Sequence, residues 1–303
     1  METERKLLNA NVAYSQGISG RGVTVAFLDT GVSPVADIRG RVLAFVDMVN
    51  GKKNPYDDNG HGTHGCGIAC GNGALSNGKY MGIAPESNIV SVKVLDKKGE
   101  GSSAHVLAGL QWVIDNQKEY DIRIINLSIG APRSNSQDPL VKAVEAFWDA
   151  GILVVVAAGN NGPNPGSITS PGISRKIITV GAADDNQQLE IWGSQMVHFS
   201  GRGPTAECIV KPDLLAPGAN IISCLGVEFR DQDIVDKHYL KLSGTSMATP
   251  MISGALALLL QKHPNIDPNT AKYLLKQSCS SLGFPGNHQG WGLLDIGKLM
   301  EVV

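Results

Sequence analysis

Short apolar runs and segments of helical periodicity alternate along the first two thirds of this chain. Val23 to Leu28 is apolar and partly β-branched, and reads as a buried strand. Ile89 to Leu95, Arg123 to Ser128, Ile152 to Ala157 and Lys176 to Gly181 read the same way. Between them, Ser102 to Asn116 is an amphipathic helix, and Pro139 to Ala150 is a second helix. Strands alternating with helices predict a parallel sheet covered on both faces and joined by right-handed crossovers. The expected class is therefore α/β: a three-layer α/β/α arrangement around a central, mostly parallel sheet. After residue 183 the alternation fades. Asp184 to Met196 reads as polar loop, and Gly226 to Lys241 as a charged surface hairpin or excursion. Met251 to Leu260 is too continuously apolar for a surface helix and predicts one buried on nearly all sides. A C-terminal helix is expected near Pro268 to Gln277. No repeat or linker interrupts the pattern, so 1–303 reads as one domain, with 1–20 an irregular N-terminal extension.

Composition narrows the function. A formal charge of −2 over 303 residues predicts neither a nucleic-acid partner nor attraction to a membrane surface. No apolar run reaches transmembrane length. Met1 to Asn11 is charged and polar, without the basic and apolar succession of a signal peptide. The expectation is a cytoplasmic protein, or one whose export segment lies outside this sequence. Five cysteines, Cys66, Cys70, Cys208, Cys224 and Cys279, are an odd number without framework spacing, and are expected to be mostly buried and reduced. Cys66 and Cys70 lack a second pair to complete a zinc site.

Several polar residues sit where such a fold places chemistry. Asp29 ends the Val23–Leu28 strand, in the sequence Asp29-Thr30-Gly31. The carboxyl end of a central parallel strand is where open α/β sheets bind ligands, although an aspartate before glycine is also an ordinary turn residue. His61 and His64 lie three apart in Asp57-Asp58-Asn59-Gly60-His61-Gly62-Thr63-His64 and share a helical face. A zinc pair would need a third ligand and a glutamate beside the first histidine, and both are lacking. That leaves a general base, assigned to His61, and a structural histidine bonded to backbone, assigned to His64. Asn160 closes a buried strand in Ala157-Ala158-Gly159-Asn160, as a turn residue or as an amide donor aimed at an oxyanion. Ser243, Thr245 and Ser246 precede the buried helix. They either cap it, or one of them uses its free N–H groups and dipole to support charge developing on a substrate carbonyl.

The motifs Asp29-Thr30-Gly31, His61-Gly62-Thr63-His64 and Gly244-Thr245-Ser246-Met247-Ala248 occur in the order Asp, His, Ser. With Asn126-Leu127-Ser128-Ile129-Gly130, Ala157-Ala158-Gly159-Asn160, Phe199-Ser200-Gly201-Arg202-Gly203-Pro204 and Lys211-Pro212-Asp213, the chain resembles the subtilases, the subtilisin-like serine peptidases, over nearly its whole length. That chain order is the one known for subtilisin. Within the family, the short glycine-rich core and the lack of an export segment are similar to intracellular or AprX-like bacterial members.

The resemblance implies a serine endopeptidase acting on protein or peptide substrates. Ser246 would be the nucleophile, His61 the base, Asp29 its orienting partner and Asn160 an oxyanion donor. It implies that extended substrate pairs with Ser128-Ile129-Gly130 on one side and Gly101-Ser102 on the other. Ala157-Ala158-Gly159 would line the pocket for the residue before the cut, and Thr169 its floor, with apolar or aromatic residues preferred. In the family, many secreted relatives carry a calcium loop after the histidine helix. Here Gly71 to Gly78 lacks carboxylates, so no metal ligand is assigned, and calcium held elsewhere by aspartates and carbonyls has no marked position. Cys66, five after His61, is expected beneath the base, either inert or open to thiol reagents. Two other readings compete. A silent subtilase scaffold would usually have lost a triad residue. An esterase of another α/β fold would want G-x-S-x-G and a histidine after the serine. Oligomeric state is not marked in the sequence.

Overall fold

The computed structural model describes residues 1–131, 135–191, 194–226 and 234–301. Its centre is a nine-stranded sheet. The first three fifths of the chain supply β1 (Thr24–Asp29), β2 (Val42–Asp47), β3 (Asn88–Lys93), β4 (Ile122–Leu127), β5 (Leu153–Ala157) and β6 (Ile178–Ala182). A hairpin, β7 (Leu189–Ile191) and β8 (Ser194–Met196), stands apart from the sheet. Then follow β9 (Leu214–Ala216), a three-stranded sheet of β10 (Ile221–Cys224), β11 (Ile234–Asp236) and β12 (Tyr239–Leu242), and the short β13 (Cys279–Ser280) and β14 (Leu293–Leu294). The large sheet runs β13-β14-β9-β6-β5-β4-β1-β3-β2. Every neighbouring pair is parallel except β13 with β14.

β1 pairs with β3 on one side and β4 on the other, so the strand order reverses at β1. Such a switch point opens a crevice beyond the carboxyl ends of the strands, and Asp29 is the last residue of β1. All six residues of β1 and all five of β5 are buried, as strands covered on both faces must be.

The helices are α1 (Glu2–Leu7), α2 (Asn11–Ser15), α3 (His61–Cys70), α4 (Ser103–Asn116), α5 (Pro139–Asp149), α6 (Thr245–Lys262), α7 (Pro268–Gln277), α8 (Gly286–Gln289) and α9 (Ile296–Glu301). α3 packs on α6, and α6 crosses β4, β5, β6 and β9; α4 and α5 pack on each other and on β1 and β5. Two helical layers therefore flank the sheet, the expected three-layer α/β/α arrangement. α6 is buried from Thr245 to Leu260, and α3 is buried throughout.

Two expectations change. The extension 1–20 is not irregular: it forms α1 and α2, because Leu8, Ala10 and Ala13 bury against the core and α2 packs on α9. The 184–196 segment contains the β7–β8 hairpin; Leu189 and Ile191 are buried and Glu190 between them is exposed, an alternation too short to stand out in sequence. Within Gly226 to Lys241, residues 227–233 lie outside the described residues; the described part forms the expected hairpin, exposed β11 pairing antiparallel with β12, which joins it to β10 in a small sheet.

Candidate active site

Asp29 leaves β1 at its carboxyl end and Thr30 continues outward. Asp29 Oδ1 accepts from the Thr30 N–H at 2.7 Å and lies 2.7 Å from His61 Nδ1. His61 opens α3 directly after Gly60, whose left-handed φ of 96° turns the chain into the helix. The helix abuts the strand end because residue 62 is glycine: a Cβ there would meet the Gly31 carbonyl at 2.3 Å. The imidazole is buried, and burial by itself disfavours its charged form. The Asp29 charge and hydrogen bond, helped by Asp57, outweigh that and hold its pKa above the usual value.

Two residues that the sequence reading did not single out as functional join these elements. The buried Asp57 accepts from Thr30 Oγ1 at 2.9 Å, the Gly60 N–H at 2.8 Å, the Thr63 N–H at 2.8 Å and Thr63 Oγ1 at 2.6 Å. It thus caps the first turn of α3 and ties it to the residue after Asp29. Thr30 Oγ1 accepts in turn from the Gly62 N–H at 2.9 Å. Lys93, wholly buried at the end of β3, donates to the Thr30 carbonyl at 2.6 Å, the Leu95 carbonyl at 2.8 Å and Asp58 Oδ1 at 2.7 Å. The clue available in sequence was the position of Asp57 and Asp58, just ahead of the His61 motif.

Ser246 sits in the first turn of α6, where helix geometry offers its N–H no carbonyl one turn back. The helix starts at Gly244 with φ 145° and ψ 163°, a conformation essentially restricted to glycine. Pro250 lies inside α6 and cannot donate to the Ser246 carbonyl. Ser128 Oγ does so instead at 3.0 Å, and Ser246 Oγ donates to the Ser128 carbonyl at 3.0 Å. Asn160 Oδ1 accepts from the Thr245 N–H at 2.9 Å and Thr245 Oγ1 at 3.0 Å, leaving the NH₂ end of the amide for the cleft.

His61, Ser246 and Asn160 line one cleft of about 470 Å³ together with Ser128, Ile129, Gly130, Ala157, Gly159, Thr169 and Gly101. Two expected lining residues are placed differently. Ser102 caps α4, accepting from the His105 N–H, and Ala158 is fully buried behind the wall, its carbonyl accepting from the Thr169 N–H. Leu95, Gly99, Glu100, Val106 and Leu140 extend the cleft beyond the residues expected. His64 is structural: Nε2 faces the Ile221 and Leu240 carbonyls, each at 3.1 Å, and burial followed by the nearby His61 charge pulls its pKa down to about 3. Cys66 is fully buried, and burial pushes its thiol well up, which makes it inert in this conformation. Among the described residues, no cluster of three or more His, Cys, Asp or Glu side chains is arranged to hold a metal ion.

A carboxylate-backed imidazole, a hydroxyl at a helix N-terminus and a side-chain amide around one cleft form the constellation of a serine hydrolase, set here on a parallel α/β sheet. The Subtilase family pattern matches residues 20–292, and the chain belongs to that family. It is 46% identical over 287 residues to serine protease AprX of Bacillus subtilis, a match covering 90% of this chain and 65% of that protein's length. It is 34% identical over 295 residues to a thermostable alkaline protease of Halalkalibacterium halodurans, covering 97% of this chain and 72% of the relative. Subtilisin Savinase of Lederbergia lenta is 35% identical over 289 residues, covering 95% of this chain and 94% of the relative.

Proposed function

We propose that this chain is a serine endopeptidase that cleaves peptide bonds through an acyl-enzyme on Ser246. The carrying observation is the convergence of His61, already held by Asp29, with Ser246 and Asn160 on one cleft. On this reading the Ser246 hydroxyl gives up the Ser128 carbonyl and turns its proton to the imidazole that shares the cleft. His61 takes that proton as Oγ attacks the scissile carbonyl, and returns it to the leaving amine as the C–N bond breaks. Asp29 fixes the tautomer and stabilises the imidazolium. The oxyanion is met by the Asn160 amide and the Ser246 N–H; a donor of the Asn160 kind is worth about 3–4 kcal/mol in the transition state. Water, activated by the same imidazole, then releases the acyl group.

Ser128, Ile129 and Gly130 offer an edge on which an extended substrate can add as a strand. The pocket for the residue before the cut is bounded by Gly130, Ala157 and Gly159, with Thr169 between the two glycines: a Cβ on either would meet Thr169 side-chain atoms within 2.6 Å. These walls carry no formal charge, so the preferred side chain is apolar, and Thr169 limits its length. A serine-directed fluorophosphonate should label the folded protein, and Ser246→Ala should abolish both labelling and peptide hydrolysis. Mass spectrometry of products from a proteome-derived peptide library reads the specificity. Labelling that survives Ser246→Ala would defeat the assignment, and a dominant preference for Arg, Lys or Asp before the cut would defeat the pocket reading.

A further inference from the structure

Arg5 is a buried cation far from the cleft, 8% exposed, on α1. Its guanidinium donates to the Gly78 carbonyl at 3.1 Å, the Lys79 carbonyl at 3.5 Å and the Met81 carbonyl. Tyr14 on α2 continues the row, its hydroxyl donating to the Ile83 carbonyl at 2.8 Å and reaching the Gly82 carbonyl at 3.3 Å. Carbonyls along 78–83 are thus gathered by two side chains from the N-terminal helices. The nearest carboxylates on α1 are engaged elsewhere, Glu2 with Lys6 and Glu4 with the α-amino group, each at 2.6 Å, and act on Arg5 through space.

This loop is the continuation of α3. The N–H groups of Gly82, Ile83 and Ala84 donate to the carbonyls of Gly71, Ile68 and Ala69, closing the end of the helix that His61 begins. Left-handed Gly73, Asn77 and Gly78 fold it tightly, and a Cβ at Gly73 would meet the Met81 nitrogen at 2.9 Å. The family resemblance raises calcium after this helix, but the donors here do not fit a hard dication. Residues 71–81 contain no Asp or Glu, and the buried carboxylate of Asp37, which reaches the loop, is committed to the Leu75 N–H at 3.1 Å and the Tyr239 hydroxyl at 2.7 Å. The adjoining cavity of about 400 Å³ is lined by Arg5, Lys6 and Lys79 against the single carboxylate of Glu2. Calcium needs 6–8 oxygen ligands, usually with carboxylates among them. A guanidinium is more weakly hydrated, and its fork of donors can serve several neutral carbonyls at once.

We propose that Arg5 is the resident cation of this loop: its side chain stands where a metal ion would otherwise gather the carbonyls, so 71–83, and through it α3, is held by the N-terminal helix without calcium. The inference does not depend on the peptidase reading, and its test uses the full chain carrying Ser246→Ala, which removes self-digestion on that reading. Thermal melting is measured in millimolar calcium and in chelator, for the parent and for Arg5→Met and Arg5→Lys, together with added-protease cleavage mapped by mass spectrometry. The parent should melt at the same temperature with and without calcium. Arg5→Met should melt several degrees lower and be cut within 71–83 about tenfold faster, because the loop opens locally. Arg5→Lys, a cation without the fork, should fall between the two; should Arg5→Met not fold, Arg5→Lys carries the comparison alone. Three results would each overturn the proposal: calcium raising the melting temperature of the parent, Arg5→Met and Arg5→Lys matching the parent, or destabilised variants cut only outside 71–83.

Discussion

Asp57 carries two effects on the proposed base that can be separated. Its hydrogen bonds join Thr30 to the first turn of α3, and its charge helps raise the His61 pKa. Asp57→Asn keeps the shape, removes the charge and mismatches an amide to a site of donors. Small misplacements of reacting groups are costly, so kcat should fall by about tenfold to a hundredfold. Without the Asp57 charge the imidazole loses its proton at a lower pH, so the acid limb of kcat/KM should move to lower pH. A purely structural role would lower kcat and leave that limb in place; the pH profile separates the two. Asp29, His61, Asn160 and Ser246 were readable because each sits in a glycine-rich motif that marks where backbone must pass closely. Asp57 and Lys93 were not read this way, because what they touch, Thr30 above all, is settled only when three strands and a helix have closed around them.

At the scale of elements, the buried parallel strands were the most legible part, since unbroken apolar runs bounded by turns have few alternatives. β2 was missed: it lies at the sheet edge, with only Asp47 of its residues buried. The Lys211-Pro212-Asp213 motif shows how strands are locked from below. Lys211 Nζ is fully buried and donates to the Ile177 carbonyl at 3.1 Å, Thr179 Oγ1 at 2.9 Å and Asp213 Oδ2 at 2.6 Å, while Asp213 also accepts from the Thr179 N–H at 2.8 Å. The cluster ties β6 to β9. Burial lowers the Lys211 pKa to about 8, with the Asp213 charge working against the fall. Lys211→Met leaves Asp213 buried with the Thr179 N–H as a hydrogen-bond donor and Lys272, 3.2 Å from its other oxygen, as a charged partner. Breaking a buried pair from one side costs about 3–5 kcal/mol, and urea denaturation in the Ser246→Ala background should read a loss of that order. A change under about 1 kcal/mol would mean that Lys272 compensates fully.

For the molecule as a whole, His64 couples α3 to the three-stranded sheet through the Ile221 and Leu240 carbonyls. Its folded pKa of about 3 lies well below the unfolded value near 6.5. The unfolded chain therefore binds a proton that the folded chain refuses. The stability tied to this residue is complete above about pH 6.5 and is lost as pH falls toward about 3, at up to about 1.4 kcal/mol per pH unit. Denaturation midpoints of the Ser246→Ala protein from pH 7 to pH 4 should fall, and His64→Gln should flatten that slope. Equal slopes in both proteins would place the acid sensitivity elsewhere.

The strand order at β1 also bears on synthesis. Asp29 and His61 leave the ribosome early, but the hydroxyl they serve arrives on α6, after β4 to β6 and β9 have been made to receive it. A growing polypeptide therefore lacks the proposed nucleophile for most of its translation, until the late helix joins strands made before it and the short β13 and β14 close the sheet behind it.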